Sequence, residues 1–316
     1  MNKLNSKITL VSGCFNESEN IGELYSRVLE IFNKFKNYEF DYIIIDNAST
    51  DATRDILRQI AFKDKRIKLI FNTRNFGHIR SPYWGILQAS GDAVVYLASD
   101  LQDPPELIEE FISYWEDGYK VVLGVKPESE TNKIFHFLRK SYYNVLSKIS
   151  DVELTKNTTG FGLYDKSVIQ EIKKINDPYP YLRGIVDEIG YKIKTIPFVQ
   201  PQRKRGITKN NIFTLYDIAV LGITSHSKTP LRIAAVLGFF MSVLAIFLAL
   251  LLFIFKIIWW DNFVAGLAPI GITILLLFGI LFAVIGVLGE YTISIQRYVS
   301  NRPIVVEEER VNFDDK

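Results

Sequence analysis

The first two thirds of the chain alternate short apolar runs with stretches of helical period, and the last third changes character. Runs at 8–14, 42–45, 67–71, 93–97 and 121–125 have strand length, are rich in Val, Ile and Tyr, and end in polar turns. Between the first two, Ile21, Leu24, Tyr25, Val28, Ile31, Phe32 and Phe35 recur at helical spacing, with Ser18 as the expected N-cap. Segments 51–62, 106–115 and 131–149 predict further helices, the last packed on the domain or against a membrane. Strands alternating with helices predict an α/β domain, its mostly parallel sheet covered on both faces. In such sheets ligands bind beyond the carboxyl ends of the strands. The polar residues there are Asn16-Glu17, Asp46-Asn47, Arg74-Asn75 and Asp100-Leu101-Gln102-Asp103. Acids, amides and an arginine on one edge suit a nucleotide-phosphate site.

Segments 233–255 and 263–289 are long, apolar and free of charge. Roughly 20 apolar residues cross a bilayer core as a helix, so the short 256–262 link makes a membrane hairpin. Arg203, Lys204, Arg205, Lys209, Lys228 and Arg232 precede the first span, and Arg297 and Arg302 follow the second. That bias places the large domain and both termini in the cytoplasm. Trp259 and Trp260 suit the far interface, and 212–225 suits the near one. The expected organisation is a domain at 1–207, a juxtamembrane segment at 208–230, spans within 231–295 and a tail at 296–316. A globular domain tethered this way is expected to handle a substrate that lives partly in lipid.

Composition excludes more than it suggests. A net charge of +2 gives no reason to expect nucleic acid. The single cysteine, Cys14, forbids an intrachain disulfide and fits a reducing compartment. His78, His136 and His226 lack ligand spacing, so no zinc site is expected. There is no P-loop and no dinucleotide fingerprint after the first strand. The N-terminus runs from polar residues into a strand, so no signal peptide is expected. The acidic Glu307-Glu308-Glu309 reads as a solvated face, while the strand-like Ile304-Val305-Val306 would offer an edge to a second copy in a homo-oligomer.

Motifs in chain order carry a resemblance. Phe15-Asn16-Glu17-Ser18-Glu19-Asn20-Ile21, Asp46-Asn47-Ala48-Ser49-Thr50-Asp51-Ala52-Thr53, Arg74-Asn75-Phe76-Gly77, Ser99-Asp100-Leu101-Gln102-Asp103-Pro104-Pro105-Glu106 and Gly206-Ile207-Thr208-Lys209 precede the hairpin. Each motif is weak alone, but the set resembles the family 2 glycosyltransferases of GT-A fold, and more narrowly the polyprenyl-phosphate glycosyltransferases. The resemblance implies a sugar moved from a nucleotide-diphosphate donor, a UDP- or GDP-sugar, to a polyprenyl phosphate for cell-envelope glycans. It implies that Phe15, Asn16, Glu17, Asp46, Asn47, Arg74 and Asn75 bind the donor nucleotide, Asp46 accepting from the base. A turn cap for Ser49 and Thr50 is the alternative role of Asp46. It also implies that Asp100 and Gln102 hold Mg2+ or Mn2+, with Asp103 behind them; an acidic turn before Pro104-Pro105 is the alternative. Arg203, Arg205, Thr208 and Lys209 would meet the acceptor phosphate or, alternatively, anionic headgroups.

Two departures matter. Ala98 stands where the family's Asp-x-Asp has its first Asp, which removes one charged cation ligand. Gly160 and Gly162 stand where many relatives have the Asp and Arg of Gly-Asp-Phe-Arg-Leu. A hydroxyl acceptor needs a base. A phosphate acceptor, with a second ionisation near about pH 6, is already an anionic nucleophile. The readings that remain are transfer to phosphate, transfer to a hydroxyl of a lipid-linked saccharide with Asp187 or Glu188 as substitute base, and a lapsed nucleotide-binding scaffold.

Overall fold

A computed structural model describes residues 6–126, 155, 157–175, 177, 180–201, 220, 227, 229–258, 267–300 and 302–313. Eight strands, β1 (Lys7–Cys14), β2 (Glu39–Asp46), β3 (Ile67–Asn72), β4 (Ala93–Tyr96), β5 (Val121–Val125), β6 (Thr158–Asp165), β7 (Ile193–Pro197) and β8 (Glu307–Val311), form one sheet ordered β7-β5-β6-β4-β1-β2-β3-β8. Only β6 and β8 run antiparallel to their neighbours. The expected α/β architecture is therefore the one observed.

Alternation along the strands builds a core on each face. Ile8, Leu10, Tyr42 and Ile44 point toward α1 (Ile21–Lys34), α2 (Thr53–Lys63) and α4 (Ile108–Glu116). Val11, Ile43, Ile45 and Val94 point toward α3 (Gly77–Gln88), α5 (Lys166–Lys174) and α6 (Leu182–Ile189). Each such side chain fully removed from water contributes about 1.5–3 kcal/mol.

The sequence pattern does not show α3, because Pro82 and two glycines dilute its period. Close packing explains Gly85 and Pro82, and a φ of 90° explains Gly77. A Cβ on Gly85 would lie 2.8 Å from Val11 Cγ1, and one on Gly13 would lie 2.8 Å from Pro82 Cγ. The helix thus sits almost directly on β1. Two expected helix starts also move. Asn20, not Ser18, flanks α1, and the Ser18 amide donates instead to Asp51 Oδ2 at 3.2 Å. A 3-10 turn at Pro105–Leu107 delays α4.

Two long helices follow the domain, α7 (Thr229–Ile258) and α8 (Leu267–Val299). Both contain windows long and apolar enough to cross a membrane, of which 6% and 0% are buried. Phe239 and Phe240 are 65% and 64% exposed, so these helices are not the core of a soluble fold. The expected helix at 131–149 and most of the juxtamembrane segment lie outside the described residues.

The acidic tail is not a free solvated face. It is β8, antiparallel to β3, with Val311 opposite Leu69 and Glu309 opposite Phe71. Val305 is buried, and the Thr73 amide donates to the Val306 carbonyl at 3.0 Å. Glu307 accepts from Trp84 Nε1, Glu308 pairs with Arg54 at 2.8 Å and Glu309 with Arg58 at 2.5 Å. The acidic run, and not Ile304-Val305-Val306, thus forms the strand that completes the sheet, with basic side chains of α2 paired to Glu308 and Glu309.

Candidate active site

The carboxyl ends of β1, β2 and β4 lie side by side and each leads into a strained corner. Asn16, Ala48 and Leu101 take φ of 57°, 62° and 59°, a left-handed region that non-glycine residues seldom adopt. Hydroxyls extend the β1–β4 pairing past its last strand residues: Ser12 Oγ donates to the Leu97 carbonyl at 2.8 Å and Ser99 Oγ to the Gly13 carbonyl at 2.9 Å. Asp100 follows at once, so the β1 backbone fixes where its carboxylate begins.

On the β1–β2 side the motif residues bind mostly one another. Asn16 receives the Thr50 amide at Oδ1 (2.8 Å) and donates its own amide to Ser49 Oγ (2.9 Å). The Glu17 amide donates to Thr53 Oγ1 at 2.9 Å, and Asn20 Nδ2 donates to Glu17 Oε2 at 2.6 Å. Asn47 donates to Asn75 Oδ1 at 2.8 Å and accepts from the Phe76 amide at 2.8 Å. Arg74 is exposed and lies over the Phe76 ring, 4.0 Å from its centroid. Phe15 is half-buried beside them.

Asp46 is fully buried. Its Oδ2 accepts from Arg54 Nε at 2.9 Å and from the Ser49 amide at 3.1 Å. It caps Ser49, whereas Asn16 takes Thr50. Neither Asp46 oxygen reaches the surface, so Asp46 shapes the loop from behind.

On the β4–β6 side a cavity of about 260 Å³ opens instead. Asp100, Gln102 and Asp103 line it together with Arg183 from α6 and Lys126 after β5. Asp103 is almost fully buried, and burial pushes its carboxyl up to about 6 although the Ala98 amide donates to it at 3.1 Å. The residue that replaces the family's Asp thus supports the acidic wall through its backbone. Among the described residues no three His, Cys, Asp or Glu side chains could enclose a metal by themselves. Asp100 and Gln102 offer a carboxylate and an amide oxygen, a donor set that suits a hard cation sharing its shell with substrate oxygens.

Asp187 and Glu188 do not line this cavity. Asp187 accepts from the Thr155 amide at 2.9 Å and its hydroxyl at 2.6 Å, and Glu188 is exposed. Arg183, one turn earlier on α6, is the residue that enters. Gly162 has a packing reason as well: a Cβ there would lie 2.3 Å from the Val122 carbonyl oxygen, so the relatives' Arg does not fit this strand pairing. Arg203, Arg205, Thr208 and Lys209 lie outside the described residues.

Residues 9–173 match the sequence profile of Glycosyl transferase family 2. The chain is 32% identical to the Bacillus subtilis glycosyltransferase YkcC, over 98% of this chain and 95% of that protein. The chain belongs to glycosyl transferase family 2. This glycosyltransferase is also 34% identical to the bactoprenol glucosyl transferase of Shigella phage SfII, over 94% of this chain and 96% of that one. Among solved structures, a mannosyltransferase from Pyrobaculum calidifontis in complex with GDP-Man and Mn2+ aligns at a TM-score of 0.48 and 17% identity, over 70% of this chain and 62% of that one. The basic wall of this glycosyltransferase, Arg183 and Lys126, carried no sequence signal. Each is an isolated cation far in sequence from the acidic motif, and only the β4–β6 pairing brings the two walls together.

Proposed function

We propose that this glycosyltransferase moves a sugar from a nucleotide-diphosphate donor to a polyprenyl phosphate, at the membrane face that carries the α/β domain, with inversion at the anomeric carbon. The observation that carries the reading is a cavity whose lining brings Asp100 and Gln102 together with Arg183 and Lys126. The names of relatives that act on bactoprenol support the lipid, and make glucose the first sugar to test. Positive charge before the first span supports a cytoplasmic domain and termini.

In this reading the rim built by Phe15, Asn16, Glu17, Asn47, Arg74 and Asn75 takes the nucleotide, and Asp46 holds the rim in shape. Asp100 and Gln102 would hold Mg2+ or Mn2+ with the donor's diphosphate oxygens; the cation neutralises charge on the leaving group. Arg183 and Lys126 attract and orient the acceptor phosphate, arginine through its planar fork. A phosphate oxygen forms the new bond to the anomeric carbon as the bond to the diphosphate breaks on the opposite side. The products are a nucleoside diphosphate and a lipid-phosphate sugar. Positioning and electrostatics do most of the work. Neither Asp187, which is bound to Thr155, nor Glu188 lines the cavity, so the two substitute bases expected for a hydroxyl acceptor are not at hand there. That favours the phosphate.

The test uses the full chain in vesicles with labelled UDP- and GDP-sugars and undecaprenyl phosphate. Label is expected in a solvent-extractable lipid, abolished by chelating the divalent cation. No labelled lipid with any donor, or label only on a hydroxyl acceptor, overturns the proposal.

A further inference from the structure

The tail strand reaches the donor side of the site through one side chain. Glu308 Oε2 accepts from Arg54 Nη2 at 2.8 Å. The same Arg54 donates through Nε to the buried Asp46 carboxylate at 2.9 Å and through Nη2 to the Asn72 carbonyl at 3.0 Å. Its guanidinium lies 5.1 Å from the Phe71 ring centroid. Asp46 in turn holds the Ser49 amide, and Ser49 Oγ accepts from the Asn16 amide. A continuous chain of charge-assisted and neutral hydrogen bonds thus runs from β8, which follows the second apolar helix, to the corner after β1.

Alternative purposes for these groups fit less well. A tail serving only to cover the edge of β3 would need its backbone pairing and its buried Val305, and both are present without Glu308. Glu309 is the internal contrast. It pairs with Arg58, which packs over Phe71 at 4.5 Å and makes no bond to Asp46. Two neighbouring acids of one strand therefore make similar surface ion pairs, and only one of these pairs continues into the loop.

We propose that Glu308 and Arg54 are positioning residues of the donor site: the strand after the hairpin sets the Asp46–Thr53 loop through Arg54 and so tunes affinity for the nucleoside diphosphate. The inference rests on the donor reading of that loop given above. Arg54 holds a charge that would otherwise stand unpaired in the protein, and Glu308 fixes the far end of its fork. The strand follows α8 in the chain, after the short segment 300–306, so the network links the donor site to the part of the chain next to the hairpin.

The experiment compares Glu308→Gln, Glu309→Gln and Arg54→Lys in the full chain, purified in detergent. UDP and GDP binding is measured by calorimetry with Mg2+, and KM and kcat are measured for the donor. For Glu308→Gln, the nucleotide Kd and donor KM are expected to rise about three- to fivefold, with kcat within about twofold of the parent, the range a half-exposed ion pair permits. Glu309→Gln should leave both unchanged. Arg54→Lys keeps the charge but loses the fork, and should raise KM at least as far as Glu308→Gln. Equal effects of the two glutamate variants, or a fall in kcat alone, would assign the tail a purely stabilising role and overturn the inference. Normal nucleotide binding in Glu308→Gln would sink this inference and leave the donor reading standing. No UDP or GDP binding by the parent chain would sink both.

Discussion

The two halves of the strand-end edge are built on opposite principles. On the β1–β2 side, polar side chains satisfy one another: Asn16, Asp46, Asn47, Ser49 and Thr50 all take partners from neighbouring loops. On the β4–β6 side, acids and cations share the lining of a cavity of about 260 Å³. The first half spends its polar groups on shape, and its rim is a surface held ready. The second gathers charge around a space that a substrate can enter. A closed network transmits position, whereas opposed charges across a gap do chemistry on what enters.

That contrast can be broken experimentally. The largest effect is expected from Asp100→Ala on the cavity side: kcat/KM should fall about 10²–10³-fold, roughly 2.7–4 kcal/mol, with the thermal midpoint unchanged. A normal rate in that variant would remove the cavity from the reaction. On the rim side the loss should be in stability. Asp46→Ala leaves Arg54 without its buried partner and should cost about 3 kcal/mol, read as a lowered unfolding midpoint in detergent. If Asp46→Ala were as stable as the parent, the closed network would not be holding the loop.

Arg183→Ala should cost about 1.5–2 kcal/mol in the transition state, a tenfold or somewhat larger loss, appearing chiefly in KM for the lipid acceptor rather than for the donor. The opposite split would move Arg183 to the donor diphosphate. The smallest effect concerns pH. Burial alone would raise the Asp165 carboxyl, but donation from Ser167, Trp115 and Lys120 outweighs burial and holds it below the ordinary range. The unfolded chain then binds more protons than the native one as acid is added. Stability from this group is present above the ordinary carboxylate range and lost as pH falls through the lowered value. Asp165→Asn should therefore lose about 1 kcal/mol at pH 7 and converge with the parent as pH falls through the lowered value. Parallel curves would show that the carboxylate charge contributes nothing.

Much of the first half was legible before any fold was known. Asn16, Asp46 and Asp100 sit at the ends of apolar runs of strand length, and strand ends are where such sheets place ligands. The strand spacing, the apolar helix pair and the order of motifs are local patterns, and local patterns survive in one dimension. The helix α3 did not show, because Gly85 and Pro82 answer to β1 packed against it and not to a helical period. Arg183 and Lys126 did not show for a similar reason. Asp187 and Glu188 attracted attention as acids, yet Arg183, one turn earlier on α6, lines the cavity and neither acid does.

The sequence by itself determined the α/β class, the existence of two membrane-length helices and the residues at each strand end, since periodicity and length need no partner. Tertiary structure alone decided that Asp46 is buried under Arg54, that cations share a cavity with Asp100, and that the acidic tail joins the sheet as a strand. Those outcomes depend on which distant segments meet. A charge acquires its role from the partner across the gap, and the chain order does not state who that partner is.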